Sequence, residues 1–285
     1  MNENVKKGVC AILLSALGFA FMGMFVRLAD DFGAPISPFQ KSFFRNAVAL
    51  VVAAIFFFSS SSSRIASAKG SWGILSLRAI CGTIGIFGNF YALSHIPIAD
   101  AMALNKTSPF FTVLFSWMFL SQRLSIRQAL AVIGAFIGAL FIIKPDFNNP
   151  AVVPAVCGLI GGVGAGGAYA CLHALGKRGV DGKFIVLFFS AVSSLASVPF
   201  MVLDFQPMTI NQIAVLIAAG VSAAIGQFGI TAAYRYAQPR NIVAFDYTGI
   251  AFSAILGYAA FGQILDVYSF IGFLTIAVTA CLLKR

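Results

Sequence analysis

The stretch Ile98–Leu120, IADAMALNKTSPFFTVLFSWMFL, most constrains what this chain can fold into. A hydrocarbon core of ~30 Å is crossed by about 20 residues of helix, and this stretch is long and apolar enough. Yet it carries Asn105 and Lys106 side by side. An ammonium at that depth costs from about 3 kcal/mol upward, so it is kept where it meets water, a partner or a ligand. The expectation is a helix that lines a polar cavity inside a bundle. The structural alternative is a lysine paired with a carboxylate.

The remainder of the chain agrees with a membrane bundle. Hydrophobic residues make up 60% of the sequence and charged residues 10%, which excludes an ordinary soluble domain. The 30 Phe and 27 Gly suit lipid-facing aromatics and closely packed helices. The first apolar run, Gly8–Leu28, is too long for a signal peptide and is read as a span. Cys10, Cys81, Cys157, Cys171 and Cys281 lie inside apolar runs without a CxxC spacing, so they read as small buried hydrophobes. No metal site and no cofactor are expected.

Ten spans are predicted, at 7–27, 39–58, 72–94, 98–120, 127–144, 151–175, 183–203, 211–234, 241–262 and 266–283. Breakers such as Asp30–Pro35, Lys144-Pro145-Asp146 and Asn148-Asn149-Pro150 separate them, and Ser59–Ser63 reads as a solvated loop. One set of loops holds Lys6, Lys7, Arg64, Lys69, Arg123, Arg127, Lys177, Arg178, Lys183, Arg235, Arg240, Lys284 and Arg285; the other holds only Arg27 and Lys144. Thirteen against two places both termini in the cytoplasm, with the chain in the inner membrane. The formal charge of +10 is thereby explained as topology and needs no nucleic-acid partner.

Five spans in each half give the halves opposite orientations. Pro97–Arg127 can be laid on Pro239–Tyr268, with Asn105-Lys106 opposite Asp246-Tyr247. The fold class expected is therefore all-α integral membrane, with ten transmembrane helices in two inverted five-helix repeats, 1–146 and 147–285, around a central cavity.

Particular segments carry a family resemblance. They are Phe43–Phe57 in the second span, Phe90-Tyr91-Ala92-Leu93 with Ile96-Pro97-Ile98-Ala99-Asp100-Ala101, and Ser108-Pro109-Phe110-Phe111-Thr112 with Ser121-Gln122-Arg123-Leu124-Ser125. In these, and in their order along the whole chain, the sequence resembles a drug/metabolite transporter of the EamA type. The family's usual Gly-Glu after the fourth helix is replaced by Ser121-Gln122 here, and Gly262-Gln263 also lacks the Glu. The resemblance implies ten helices in two inverted repeats, a central cavity and passage of small organic metabolites by alternating access.

Beyond the loops, the spans hold Lys41, Arg45, Arg78, Lys106 and one acid, Asp246. Asn105, Ser108, Thr112 and Ser116 share a helical face with the lysine's neighbourhood, and Pro109 can bend the helix. Asp246 is read as partner of an intramembrane cation, ligand of a substrate ammonium or proton carrier, with structural pairing to Lys106 or an arginine equally open. Arg45 suits a two-point grip on carboxylate or phosphate, against an interhelix pair; Lys41, one turn away, is placed to snorkel. Arg78 heads a stripe with Gly82, Gly85 and Asn89, or reaches the cytoplasmic face. Tyr169, His173 and Lys177 step by four, His173 being a titrating group or simply a hydrogen-bonder. Gly158, Gly162 and Gly166, and Ser222 with Gly226, read as packing surfaces. Gln227, Tyr234 and Tyr247 are further cavity candidates, with Tyr91 and Trp117 as apolar walls.

Three deep cations against one deep acid favour a cargo with an anionic group. With Asp246 able to accept an amine, an amino acid or related zwitterion is the first expectation and a larger anionic or nucleotide-like metabolite the second. An intramembrane enzyme finds no support in two His without an HExxH motif, and a channel none in the absence of a filter repeat. No P-loop occurs, so transport would be driven by a gradient or exchange, with proton coupling through Asp246 an open alternative.

Overall fold

The computed structural model describes residues 3–59, 68–120, 125–143, 150–236 and 245–282. Among them there is no strand. The helices are α1 (Glu3–Leu28), α2 (Pro38–Phe58), α3 (Trp72–His95), α4 (Ile98–Asn105), α5 (Ser108–Leu120), α6 (Ile126–Ile143), α7 (Val152–Lys177), α8 (Gly182–Leu203), α9 (Ile210–Tyr236), α10 (Thr248–Phe261) and α11 (Val267–Leu282). Glu3–Phe32, Pro38–Phe58, Trp72–His95, Val152–Lys177, Gly182–Leu203 and Ile210–Ala233 are each long and apolar enough to cross a membrane, and Ala129–Ile143, Thr248–Phe261 and Val267–Thr279 are shorter apolar helices. This is a multi-pass membrane protein. The Ser60–Ser63 run, Ser121-Gln122, Lys144–Asn149 and the side chain of Tyr234 lie outside the described residues.

One predicted span is corrected. Ile98–Leu120 is two helices, α4 and α5, interrupted by a turn at Lys106-Thr107. Pro109 has no N–H to return to the preceding turn, so the helical ladder breaks just before it. Thr107 instead donates its N–H to Leu104 O at 3.1 Å and its hydroxyl to the same carbonyl at 2.6 Å. The ninth span is interrupted as well: Phe245-Asp246 are helical, Tyr247 is a turn, and α10 begins at Thr248.

Many large apolar side chains face outward, and alanines line much of the interior beside buried Phe90, Phe110 and Leu104. Val51, Ile55, Phe56, Ile80, Ile84, Ile133, Phe136 and Ile137 are exposed, whereas Ala16, Ala20, Ala49, Ala53, Ala79 and Ala139 are fully buried. In lipid, outward apolar bulk costs nothing, and small residues let backbones approach. Helix α3 packs on α7, α1 on α9, α2 on α8, α6 on α11, and α4 on α10. The closest seams are glycine-lined. A Cβ on Gly161 of α7 would lie 2.9 Å from Asn89 N and 3.0 Å from Gly85 O of α3. One on Gly18 of α1 would lie 2.9 Å from both Gly226 N and Ser222 O of α9.

One end of the bundle is laced by polar contacts of the first turns of α2 and α9 with the connections after α1 and before α9. The Gln40 amide donates to Gln206 O at 2.8 Å and accepts from Gln206 N at 2.9 Å. The Gln212 amide donates to Ala29 O and Ala34 O. Lys41 does not snorkel into solvent: its ammonium is buried on Asp30 Oδ2 at 2.5 Å and Ser94 Oγ at 2.9 Å. A lysine one turn inside a helix end finds an acid beneath the neighbouring turn and needs no headgroup contact.

Gly161→Leu, whose new side chain would be driven into the α3 backbone, is expected to lower stability by at least about 1–3 kcal/mol. Gly73→Leu, where nothing lies within 4 Å, serves as the tolerated control. Thermal unfolding in detergent checks both.

Candidate functional site

Three helices bring cations to the middle of the bundle. Arg45 lies two turns into α2 and Arg78 two turns into α3, while Lys106 closes the C-terminal end of α4. All three line one cavity of about 60 Å³ together with Asn89, Asn105, Tyr169 and Gln227. The apolar part of the wall comes from Phe19, Met22, Ile86, Phe90, Met102 and Phe189, with Gly82, Gly85, Ala165 and Ala168 where backbone forms the surface. The volume holds a few waters, less than the 300–1,000 Å³ of an ordinary ligand pocket. A metabolite enters only if the surrounding helices part.

Lys106 is paired. Its Nζ donates to Asp246 Oδ1 at 2.5 Å, and both side chains are buried. The pair joins the two interruptions, the α4–α5 turn and the turn before α10. Each charge also suits its helix end: the ammonium stands at the C-cap of α4, and the carboxylate just precedes the N-cap of α10. Gly249 makes the room, since a Cβ there would lie 3.2 Å from Lys106 Cε. Of the alternatives left open by sequence, the carboxylate partner is present, and the lysine still borders the cavity.

Arg45 and Arg78 are different. They are only 1% and 3% exposed. Arg45 Nη1 donates to Asn46 Oδ1. Arg78 Nη2 donates to Gln227 Oε1 at 3.4 Å, and its guanidinium lies 4.0 Å above the Phe189 ring. Both Nε groups lack a hydrogen-bond partner, as does Asn89 Oδ1. Among the described residues the ion pairs are Lys7–Glu3, Lys41–Asp30 and Lys106–Asp246, so neither guanidinium has an acid. A buried cation held only by neutral groups is costly, and an arriving anion relieves that cost. Arg78 does not extend to the end of the bundle; Phe189 and Gln227 hold it inside.

Of the polar and charged residues singled out in the sequence, Arg45, Arg78, Asn89, Asn105, Lys106, Tyr169 and Gln227 come together at this cavity. Asp246 stands behind Lys106. Tyr247 is buried edge-on to Phe110, with ring centroids 6.3 Å apart. Tyr91 stacks on His95 at 4.3 Å near the end of α3. His173 and Lys177 border a second cavity, of about 250 Å³, between the end of α7 and the start of α8. Trp117 is 47% exposed and faces outward, so it forms no wall. Of the polar stripe, only Asn105 reaches the cavity; Thr112 bonds Ser108 O and Gly166 O on the α5–α7 seam. Phe189 carried no sequence signal, being one of 30 phenylalanines distinguished only by what it packs under.

Lys106→Ala strands a buried carboxylate and is expected to cost about 3–5 kcal/mol, whereas Lys106→Ala combined with Asp246→Ala costs markedly less than the sum of the single changes. A double-mutant cycle on thermal unfolding in detergent measures the difference.

Comparison with known proteins follows the geometry. Residues 6–144 match the EamA-like transporter family. The chain is 30% identical over 282 residues to the pseudopaline exporter CntI of Pseudomonas aeruginosa, covering 99% of this chain and 97% of that one. It is 25% identical over 277 residues to a riboflavin transporter of Vibrio cholerae, covering 93% and 88%. A solved crystal structure shares the fold at a TM-score of 0.67 and 18% identity, covering 99% of this chain and 95% of that one. Similar over nearly its whole length to proteins that carry small metabolites across membranes, the chain belongs to the EamA-like transporter family.

Proposed function

We propose that this transporter moves small organic metabolites bearing an acidic group through the Arg45–Arg78 cavity, by alternating access of two inverted five-helix halves, 1–146 and 147–285. The observation that carries the reading is the pair of buried guanidinium groups, each without a carboxylate partner among the described residues. Guanidinium grips carboxylate by two parallel hydrogen bonds, and neighbouring amides and Tyr169 can take the polar remainder of a cargo. The apolar wall accommodates its carbon skeleton. Organic acids without an amine fit this description. An amino acid fits less well, because Asp246, the acid that would take its ammonium, is engaged by Lys106.

The two-half reading draws support from how the helices pair. Shifting the spans by five maps the α1–α9 contact onto α7–α3, and maps α2–α8, α4–α10 and α6–α11 onto themselves. The interrupted helices fall at the positions that pair Asn105-Lys106 with Asp246-Tyr247. Broken helices at matching places near the midplane are where secondary transporters of repeated architecture bind cargo. Both termini are placed in the cytoplasm and the protein in the inner membrane, on the distribution of basic loops. The named relatives carry different cargoes, an exported one and riboflavin, so the kinship supports the transport mode more than the substrate.

Counterflow in proteoliposomes across a panel of acidic, zwitterionic and neutral metabolites is the test. Acidic compounds are expected to exchange saturably, and Arg45→Ala or Arg78→Ala to lower that exchange by about tenfold or more. Movement of neutral compounds alone, unaffected by either change, overturns the reading.

A further inference from the structure

The charges around the cavity can be counted. Lys106 and Asp246 cancel, leaving Arg45 and Arg78. Both are buried, and each retains an Nε–H without an acceptor. Building on the reading of this cavity as the cargo site, we propose that the cargo is an organic dianion, whose two negative charges match the Arg45 and Arg78 guanidinium groups.

A monoanion would leave one guanidinium unneutralised inside a closed bundle, and an uncompensated cation is the costly arrangement in a low dielectric. A dianion leaves the site neutral before the helices close around it. The two arginines reach the cavity from opposite ends of the bundle. Consecutive spans run in opposite directions, so Arg45 enters from one end of the bundle and Arg78 from the other. Each lies about 10 Å inside its own helix end at 1.5 Å per residue, which separates their backbones along the bundle axis while their long side chains converge on one space. Their neutral supports differ as well: Asn46 holds one, and Gln227 with Phe189 holds the other. Such a site suits two acidic groups on one short skeleton. A single phosphate ester in its dianionic form offers the same charge at one point.

The test holds the skeleton constant and varies only charge. Purified protein in detergent is titrated with adipate, monomethyl adipate and dimethyl adipate, with hexyl phosphate beside them and the diacid length varied from malonate to suberate. The readout is the shift in melting temperature. A diacid is expected to stabilise at about tenfold to a hundredfold lower concentration than its monoester, with the diester inert. Arg45→Gln and Arg78→Gln are each expected to bring the diacid to the level of the monoester. Arg45→Lys and Arg78→Lys, which keep the charge, are expected to retain the preference and guard against a folding artefact. A preference for hexyl phosphate over every diacid assigns both charges to one phosphate; the reverse assigns them to two carboxylates, and either upholds the dianion. Equal effects of diacid and monoester, both above the diester, overturn the dianion but leave the acidic-cargo reading standing. A diester as effective as the acids, or no stabilisation by any of these compounds, overturns both.

Discussion

A charge inside a lipid bilayer must be compensated where it stands, because no solvent is available to do it at a distance. The Lys106–Asp246 pair meets that requirement, and much of the architecture serves it. The ammonium stands at the end of α4, the carboxylate at the entry to α10, and the chain is interrupted at both places. A continuous helix would direct its polar backbone inward and spend it on its own hydrogen bonds. A broken one frees backbone groups and points helix ends at the charges, so the ion pair and the two breaks support one another.

The packing around this centre follows from the same solvent. Lipid tolerates large apolar side chains such as Ile55, Phe56 and Phe136 on the perimeter, Phe90, Phe110 and Leu104 fill the interior, and the closest seams are made by Gly85 against Gly161, and Gly18 against Gly226. Backbone contact this close is rigid, and it brings Arg45, Arg78 and Gln227 from three helices to one small space. At one end, Gln40 ties α2 to the connection before α9, Gln212 ties α9 to the connection after α1, and Lys41 of α2 pairs with Asp30 of that connection. The bundle is thus held by contacts of two kinds: glycine seams along its length, and buried polar contacts at one end.

The buried cations of the bundle differ in their partners. Lys41, at one end, and Lys106, beside the cavity, have acids, whereas Arg45 and Arg78 have only neutral neighbours. Guanidinium suits the latter position, since it stays charged under all physiological conditions and is more weakly hydrated than ammonium. Phe189 beneath Arg78 supplies attraction without neutralisation, which keeps the cation in place and available.

Hydropathy and the spacing of charges are properties read along the chain, and they were legible without coordinates. The multi-pass all-α character and the short set of intramembrane ionisable residues follow from them, while the kinship with EamA-type transporters is carried by particular segments such as Ile96–Ala101 and Ser108–Thr112. Arg45, Arg78, Asn89, Asn105, Lys106, Tyr169 and Gln227 meet at one cavity for the same reason: a polar residue in an apolar span has few places to go. What tertiary structure alone decided is which cation has a partner. Lys106 and Asp246 are 140 residues apart, and Lys41 finds Asp30 beneath a turn, while Arg45 and Arg78 find no acid among the described residues. Nothing local distinguishes these four cations in the sequence. Coulomb energy falls with distance through space, and only the packing of the helices sets that distance.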